Sequence, residues 1–568
     1  LRGGRVREGA PRPPGPPARC PASPRTPSLT AASPRGAFAR ALAERTPSAD
    51  GPRRWLFVPY DQLSDAFGPP ARERAEDLGI VLIESRWKAD RRRVHRAKLA
   101  LVLANQRHFA LEQAERGVAV RYLAGEPSYA ERLRELADEL GPLEVQRPAE
   151  RELRAHLAPL VADGTLRELP HEGWLSTRDD FVRACGDSPP WRMDRFYRAQ
   201  RKRTGILMEG GKPIGGRFSF DGENREAWRG EPPAPEPPRF EPDTITREVG
   251  ALIEERFPEH PGRLDLCALA ASKEQVEQLW SFAKERCLPH FGPYEDAMSE
   301  SSRSLFHTRL SPLINLSRLT ARRVIDEALA LELPHASQEG FVRQLLGWRE
   351  FVRHVHEVTD GFRTLTDDRD ESGARPNFLD AEHSLPPAYW GTPSGLRCLD
   401  ETVRTVWDEG WSHHITRLMV LSNIALLLDV SPRELTDWFW VAYADAYDWV
   451  VEPNVLGMGT FALGDVMTTK PYVSGAVYID RMSDHCASCA FDPRSDCPLT
   501  PLYWAFLQRH RERLADVQRM CLPLASLRKR AASQVAADAS LFTRVSEALA
   551  AGETLEPRDL FAQRPEER

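Results

Sequence analysis

Short, uninterrupted apolar runs alternate with amphipathic helical stretches in the first third of the chain. The helical stretches cover residues 96–115 and 129–140, and the apolar runs cover residues 55–59, 79–85, 117–123 and 143–147. Strands that are buried on both faces have continuous apolar sequences, and helices between them favour parallel pairing. The pattern therefore predicts an α/β fold, a doubly wound parallel sheet with helices on both faces.

Polar residues follow the first two predicted strands. Asp61 and Gln62 come after the first strand, and Glu84 closes the second. Ligands of open parallel sheets bind beyond the carboxyl ends of the strands, so these side chains are candidates for lining a pocket. Turn capping explains them equally well. No G-x-G-x-x-G or phosphate loop follows the first strand, which disfavours an ordinary dinucleotide or ATP site.

A polar connector follows at about residues 192–242, and its two Gly-Gly pairs predict a hairpin turn. Phe196 and Tyr197 lie among its basic residues, a mixture that suits contact with phosphates and unstacked bases. A solvated helix face is the other interpretation. The basic residues are Arg195, Arg198, Arg201, Lys202 and Arg203.

Beyond about Pro258 the periodicity becomes helical. Ser272 with Gln275, and Ser431 with Glu434, have the spacing of capping boxes. Two stripes at helical spacing are typical of core packing, namely Phe341, Leu345, Trp348 and Val352, and then Trp438, Ala442, Asp445 and Trp449. Because a buried carboxylate needs a hydrogen-bonding partner, the presence of Asp445 in the second stripe suggests the ring N–H of a bound heterocycle.

A histidine pair follows a predicted helix start. With Ser412 as N-cap, His413 and His414 fall in the first turn, and Arg417 and Leu418 lie one turn later. Imidazoles exchange protons near neutral pH, so the pair is a candidate acid/base site. Capping or surface decoration is the alternative interpretation.

Composition limits the class of protein. The chain has 568 residues, of which 28% are charged and 41% hydrophobic, with a formal net charge of -6, enough for two or three domains. No run approaches the roughly 18 apolar residues of a membrane helix, so no membrane partner and a cytoplasmic location are expected. Residues 1–51 are rich in proline and arginine, which predicts a disordered extension or a mis-set translation start rather than a transit peptide.

The nine cysteines are few, odd in number and partly clustered, which indicates a metal site in a reducing compartment rather than a disulfide framework. Three of them form a C-x2-C-x7-C knuckle that Pro498 follows. Thiolates suit an iron–sulfur cluster or zinc, and the spacing does not choose between these metals. The plainest alternative is a set of buried thiols. The candidate ligands are Cys398, Cys486, Cys489 and Cys497.

Six sequence blocks make the chain similar to a known family. From about residue 55 to 530 it resembles the photolyase and cryptochrome superfamily, and within it the iron–sulfur branch of bacterial (6-4) photolyases and their cryptochrome relatives. The blocks are RKRTGILMEGGKPIGGRFSFDGENR, HTRLSPLIN, EGFVRQLLGWREFVR, SHHITRLMV, ADAYDWVVEPNVLGM and TTKPYVSGAVYIDRMSDHCASC, in this order.

The resemblance implies an α/β antenna domain (52–185), a connector (186–258), a helical domain with FAD and a 4Fe-4S cluster (259–535) and a C-terminal tail (536–568). The four cysteines named above would hold the cluster. Asp61, Gln62 and Glu84 would contact an antenna chromophore such as a ribityl lumazine. The implied FAD contacts are Thr308, Ser311, Gln344, Trp348, Arg349, Arg417, Asp445 and Asn454.

The implied activity is light-dependent repair of (6-4) photoproducts in ultraviolet-damaged DNA by a monomer. Reduced FAD would donate an electron to a flipped-out lesion, with His414 as the acid and His413 as its companion. Trp438 and Trp390 would relay electrons to the flavin, and Phe439 stands where relatives often carry a tyrosine. A cryptochrome photoreceptor and a zinc-stabilised nucleic-acid-binding protein are the alternatives. The implied DNA contacts are Lys202, Leu418, Met458, Tyr472 and Tyr478.

Overall fold

The computed structural model describes residues 36–45, 54–125 and 127–561. Its first unit is a five-stranded parallel sheet in the order β3-β2-β1-β4-β5. The strands are β1 (Arg54–Phe57), β2 (Leu78–Ser85), β3 (Ala119–Gly125), β4 (Leu143–Gln146) and β5 (Leu166–Leu169). The parallel sheet is confirmed. The unpredicted β5 is an edge strand paired only with β4, and its charged residues Arg167 and Glu168 hide it from a search for apolar runs.

Helices cover both faces of this sheet. Leu56, Ile80 and Leu82 point into one apolar cluster, and Phe57 and Val81 point into the other. The helices α4 and α5 have the predicted bounds. The nine helices of this first part of the chain are α1 (Ala37–Arg45), α2 (Pro69–Arg72), α3 (Trp87–Arg91), α4 (Arg96–Glu115), α5 (Tyr129–Leu140), α6 (Arg151–Ala162), α7 (Arg178–Cys185), α8 (Met193–Thr204) and α9 (Thr244–Arg256).

Helix α1 falls inside the segment that the sequence predicted to be disordered. The Phe38 side chain is only 4% exposed, and its ring centroid lies 4.6 Å from that of Tyr122 on β3. The prediction for residues 1–51 is therefore wrong for 36–45, because one aromatic residue anchors this short helix to the sheet. The remainder of that extension lies outside the described residues.

The connector contains the predicted hairpin, formed by β6 (Met208–Glu209) and β7 (Lys212–Pro213). Gly210 and Gly211 occupy its turn with φ of 54° and 77°, which glycine adopts without steric cost. On the preceding helix α8, the predicted surface of mixed basic and aromatic side chains is not present. Phe196 and Tyr197 are buried core residues, so they offer no ring to nucleic-acid bases.

Arg201 on the same helix is buried and donates hydrogen bonds to the carbonyls of Ile206, Leu207 and Phe218. It is therefore a structural residue, which links α8 by hydrogen bonds to the following residues of the connector. Arg195, Arg198 and Lys202 remain on the exposed face of α8, as a solvated helix face predicts.

The rest of the described chain is helical, and the predicted combination of an α/β unit with a helical unit is confirmed. Among the described residues, no helix is both long enough and apolar enough to cross a membrane. The helices are α10 (Lys273–Phe282), α11 (Leu288–Phe291), α12 (Ser311–Asn315), α13 (Ala321–Leu329), α14 (His335–Val342), α15 (Glu350–Val358), α16 (Arg397–Glu409), α17 (His414–Thr416), α18 (Asn423–Leu427), α19 (Pro432–Ala442), α20 (Asp448–Glu452), α21 (Ala476–Met482), α22 (Leu499–Arg509), α23 (Cys521–Leu527), α24 (Ala532–Ala550) and α25 (Pro557–Phe561).

Helix α24 crosses the boundary at which the sequence predicted a C-terminal tail. Leu541, Val545 and Leu549 on this helix are buried in the same apolar cluster as α22. Residues 536–550 therefore belong to the helical unit, and the predicted tail is wrong for them.

Two local predictions in this unit need correction. The capping box of Ser272 and Gln275 is present, whereas Ser431 makes no capping hydrogen bond and the Glu434 carboxylate accepts from the Leu385 N–H at 2.7 Å. The second apolar stripe is interrupted, because α19 ends at Ala442 and Asp445 lies in the turn before α20.

Candidate functional site

A cavity of about 960 Å³ opens in the helical unit. Three segments of π-helix contribute to its wall, and wide turns of this kind recur at functional sites because they displace side chains from the regular helical positions. The sequence pattern did not predict them, since their apolar spacing is close to that of an α-helix. The segments are Arg343–Arg349, Arg417–Ser422 and Pro453–Gly459.

Most of the predicted site residues line this one cavity, although they are spread over 171 positions of the chain. The first predicted apolar stripe lines the cavity as well. Phe341 lies on α14, Leu345 on the π-helical segment that follows it, and Val352 on α15. Lys202 does not line the cavity. Its Nζ lies 5.8 Å from the ring centroid of Phe218, and Phe218 is a lining residue. The lining residues that were predicted are Thr308, Ser311, Gln344, Trp348, Arg349, His413, His414, Arg417, Leu418, Asp445, Asn454, Met458, Tyr472 and Tyr478.

The buried Asp445 has partners within the protein. Arg417 donates two hydrogen bonds to its carboxylate, at 3.0 and 2.9 Å, and the Ser311 hydroxyl donates a third at 2.6 Å. The carboxylate therefore has protein partners of its own, and its predicted pairing with the N–H of a heterocycle stays a prediction. A bidentate arginine also fixes the orientation of Asp445 at the cavity wall.

Arg349 faces the cavity with an incomplete set of partners. Within the described chain its Nε has no hydrogen-bond partner, and burial lowers the pKa of this guanidinium to about 10. Its Cζ lies 4.0 Å from the ring centroid of Trp174. A buried cation with a free donor suits an anionic ligand such as a phosphate.

Three imidazoles meet at one side of the cavity. The rings of His307 and His413 stack with centroids 4.5 Å apart and planes 7° apart, and His307 meets His414 edge to face at 5.4 Å. Burial holds the pKa of both His307 and His413 well below the usual range, so these two rings are neutral at neutral pH. The motif search missed His307 because it lies about a hundred residues before the histidine pair.

His414 differs from the other two histidines in its exposure. Its side chain is 46% exposed, and its Nε2 lies 4.0 Å from Oδ1 of Asp296, an ion pair when the imidazole is protonated. The Tyr478 hydroxyl donates to Asp296 at 3.2 Å, and burial raises the pKa of the Asp296 carboxyl. Asp296 was also missed, because it lies in a loop with no recognisable spacing to the histidines.

The predicted cap of this segment is wrong by one residue. Helix α17 begins at His414, so His413 is the N-cap and the Ser412 hydroxyl instead shares hydrogen bonds with Tyr443 and Thr416. The two adjacent imidazoles differ in exposure, because His413 is buried whereas the side chain of His414 is 46% exposed.

Basic side chains surround the opening of the cavity. Its wall carries ten basic and five acidic residues, an excess of positive charge despite the negative net charge of the chain. A local excess of this kind is suited to a polyanion. The basic residues with the most exposed positions are Arg198, Arg225, Arg481 and Arg519.

Comparison with known proteins assigns the chain to a family. A family profile described as deoxyribodipyrimidine photo-lyase-related protein matches residues 56–268. A (6-4) photolyase from Agrobacterium fabrum is 34% identical over 489 residues, covering 82% of this chain and 94% of that relative. The chain belongs to the photolyase and cryptochrome superfamily. The predicted membership and the prediction of a photolyase enzyme are confirmed.

Two solved structures share the fold of this photolyase. One is a bacterial class III photolyase from Agrobacterium tumefaciens, with a TM-score of 0.50 and 15% identity, covering 87% of this chain and 99% of that one. The other is a cryptochrome from Synechocystis, with a TM-score of 0.50 and 15% identity, covering 72% and 82% of the two chains.

Family membership implies a flavin cofactor, and the cavity fits one. Its volume lies within the range of cofactor pockets, and its wall combines apolar and aromatic side chains with the cationic Arg349 and the fixed Asp445. Asn454 donates to the Val450 carbonyl at 2.7 Å, and Gln344 donates to Glu295. Both amides keep their carbonyl oxygens for a ligand.

The four predicted metal ligands converge on a second, much smaller cavity. Cys398 on α16, Cys486 and Cys489 in the loop after α21, and Cys497 before α22 all line it. All four are free thiols, and burial together with the three other sulfurs raises the pKa of the Cys398 thiol. The remaining wall is almost entirely apolar, apart from His485, which contacts Glu300 at 3.2 Å.

The predicted antenna contacts have mostly found partners within the protein. Gln62 donates to the Gln146 carbonyl, and Glu84 is paired with Arg107 and Tyr122. Asp61 accepts from the Ala149 N–H, and burial raises its pKa to about 6. Only Asp61 retains an unpartnered carboxylate oxygen among these three described residues.

Proposed function

We propose that this photolyase repairs (6-4) pyrimidine photoproducts in DNA, using light and a reduced FAD bound in the large cavity. The observation that carries the proposal is the position of His414. This half-exposed imidazole and its partner Asp296 share one cavity with the residues expected to bind flavin. The sequence relationship to a (6-4) photolyase supports the same lesion.

The cofactor would be held by contacts of three kinds. Arg349 and Thr308 suit the phosphates, because they offer a cation with a free donor and a hydroxyl group at the wall, whereas the Ser311 hydroxyl already donates to Asp445. Asp445, oriented by Arg417, suits a ring N–H, and the amides of Gln344 and Asn454 suit polar atoms at the ring edge. When bound and excited by light, reduced flavin supplies the electron for the repair reaction.

The lesion would enter the cavity from the basic opening. A cross-linked pyrimidine pair stacks poorly in the duplex, so flipping it costs less free energy than flipping normal bases. Leu418, Met458 and Tyr472 line the cavity and would pack against the flipped bases. The Tyr478 hydroxyl donates to Asp296, the same carboxylate that lies 4.0 Å from Nε2 of His414.

His414 would act as the acid. A proton held at Nε2 against Asp296 can be delivered to the hydroxyl that moves between the two bases during repair. His413, neutral and stacked on His307, cannot readily carry this proton and would support the position of His414. Our proposal therefore separates the roles of the two adjacent histidines.

The small cavity would hold the 4Fe-4S cluster rather than zinc. The four cysteines line one cavity whose remaining wall is almost entirely apolar. Four thiolates in such a wall suit a thiolate-bound iron–sulfur cluster, and the resemblance to the iron–sulfur branch of the superfamily supports the same choice.

Illumination separates repair from photoreception. Reduced protein should remove the (6-4) absorbance from an ultraviolet-damaged oligonucleotide under blue light, and should leave it unchanged in the dark. A preparation with an intact flavin spectrum and no light-dependent loss of the lesion would leave only a signalling function. A preparation without flavin would contradict both functions.

Binding to damaged duplex DNA should weaken steeply with salt, because each neutralised phosphate contributes about -0.9 to the slope of log K against log salt concentration. Replacing Arg198 or Lys202 by alanine should reduce that slope by about 1 each. Arg167→Ala is the matched control, since this residue lies on the edge strand β5. Titrations between about 50 and 200 mM salt give the slopes. Equal slopes in all four proteins would exclude the exposed face of α8 from the DNA interface.

A further inference from the structure

We propose that Glu300 is a positioning residue of the cluster site, and that segment 296–300 links this site to the acid at the large cavity. The inference rests on the proposed cluster and the proposed acid, and it gives the cluster a role beyond holding helices together. Glu300 lies in the loop between α11 and α12, about a hundred residues before the first of the four cysteines, and no sequence pattern marks it.

The Glu300 carboxylate contacts the neighbours of two predicted cluster ligands on different elements. Arg397, at the start of α16 and next to Cys398, donates two hydrogen bonds to it, at 2.9 and 2.7 Å. His485, next to Cys486 in the loop after α21, places its Nδ1 3.2 Å from Oε1 of Glu300. One carboxylate therefore joins the two elements that carry these sulfurs.

A third contact makes the arrangement regular. The Ser488 hydroxyl, next to Cys489, lies 3.4 Å from Oε1 and 3.5 Å from Oε2 of Glu300. In all three cases the contacting residue directly precedes the cysteine in the chain. Outer partners of this kind orient metal ligands, and changing them typically weakens metal binding by about 10 to 100-fold. Glu300 is therefore suited to fix the positions of three of the four sulfurs.

The pairing of Glu300 with Arg397 also balances charge beside the cluster. Four thiolates make a bound 4Fe-4S cluster net negative, so a lone carboxylate nearby would oppose it. The two-point pairing with the Arg397 guanidinium compensates the charge of Glu300. A second carboxylate, that of Glu401, lies 3.3 Å from the same guanidinium, but it is on α16 itself and also pairs with Arg404 there.

Segment 296–300 is itself bound along the chain that leads into the cluster loop. The Met298 N–H donates to the Met482 carbonyl at 2.9 Å. The Asp484 carboxylate accepts from the Ser299 hydroxyl at 2.6 Å and from the Glu300 N–H at 2.8 Å. The Met298 side chain is buried in the same apolar cluster as α16 and α22. The segment is therefore fixed to the surroundings of the small cavity.

The other end of the segment reaches the acid site. Asp296 lies four residues before Glu300, and its carboxylate is the partner of His414 and accepts from the Tyr478 hydroxyl. The same carboxylate lies 3.7 Å from Nε of Arg225 at the wall of the large cavity. Five consecutive residues thus join the two sites. An intact cluster therefore holds the partner of the acid in place.

Iron release from the iron-loaded protein tests the first half of the proposal. With an iron chelator in excess under anaerobic conditions, Glu300→Gln should lose its iron about 10-fold faster than the parent protein, because three ligands lose a common anchor. Its cluster should also be reduced at a more positive potential, since a negative charge beside it is removed. Glu401→Gln is the matched control, because Glu401 pairs with Arg397 and Arg404 within α16.

The control separates position from charge. Glu401→Gln removes the same charge near the same guanidinium, but it leaves the link between α16 and the loop after α21 intact, so its iron should be released at the parent rate. Equal release rates and equal potentials in the two variants would overturn the proposal. A parent protein that carries no iron after anaerobic purification would instead refute the cluster of the proposed function.

Amide hydrogen exchange tests the link to the acid site, and it requires neither flavin nor repair. The N–H groups of Met298 and Glu300 are hydrogen-bonded, so their exchange should be slow in the iron-loaded parent protein. In iron-loaded Glu300→Gln, exchange should become faster over residues 296–300 and 482–489 together, while the amides of β2 stay protected as the control for folding. Faster exchange over 482–489 alone, with 296–300 unchanged, would overturn the link.

Discussion

Replacing His414 by alanine is expected to lower light-dependent (6-4) repair by about 10² to 10⁴-fold, the contribution typical of a positioned general acid. The flavin content should not change, since His414 is half exposed and Asp445 and Arg349 keep their contacts. Repaired oligonucleotide per absorbed photon, measured together with the flavin absorption spectrum, gives both quantities.

Two further variants make this test specific. Asp296→Asn should also lower repair, because the imidazolium would lose its carboxylate partner. His156→Ala on α6 is a control at a distant, partly buried histidine and should repair normally. Full repair by the His414→Ala protein would remove this residue from the mechanism and would leave the lesion chemistry without an acid at the cavity wall.

Replacing Cys489 by serine is expected to release most of the iron, about four atoms per chain for a 4Fe-4S cluster, and to lower the stability of the protein. The structural reason is that the four cysteines join α16, the loop after α21 and the start of α22 at one point. Without the cluster, four thiols and an apolar cavity remain where these elements meet. Iron analysis and thermal unfolding measure the two effects.

Cys521→Ser is the matched control for this prediction. Cys521 is an exposed free thiol at the start of α23, outside the set of four. This variant should keep its iron and its unfolding temperature. A Cys489→Ser protein that is stable and carries a full complement of iron would exclude Cys489 as a ligand, whereas stoichiometric zinc in the parent protein would refute the cluster.

The histidines show how far local sequence reasoning reaches. The pair His413-His414 is visible as adjacent residues, but its division into a buried neutral ring and an exposed ring depends on His307 and Asp296. These partners come from separate loops, about a hundred residues away in the chain. Sequence patterns report neighbours at helical or strand spacing, and they carry no information on contacts between distant segments.

The same limit applies to Asp445 and Trp407. The carboxylate was recognised as unusual, but Arg417, which balances its charge, and Ser311, which donates a hydrogen bond to it, were known only as separate candidates. The contact between the rings of Trp407 and Trp438 accompanies a shared acceptor, the Tyr389 carbonyl, to which both indole N–H groups donate. In both cases the chemistry is set by a contact between elements, and local propensity cannot specify it.

The order of residues alone determined the parallel sheet, the change from an α/β to a helical unit and a set of fourteen side chains that line the cavity, because apolar periodicity and family motifs are local properties of the chain. Tertiary structure decided which histidine is exposed, which tryptophans touch and that the four cysteines line one cavity. These features depend on distances between segments that fold together, and such distances appear only once the helices have packed.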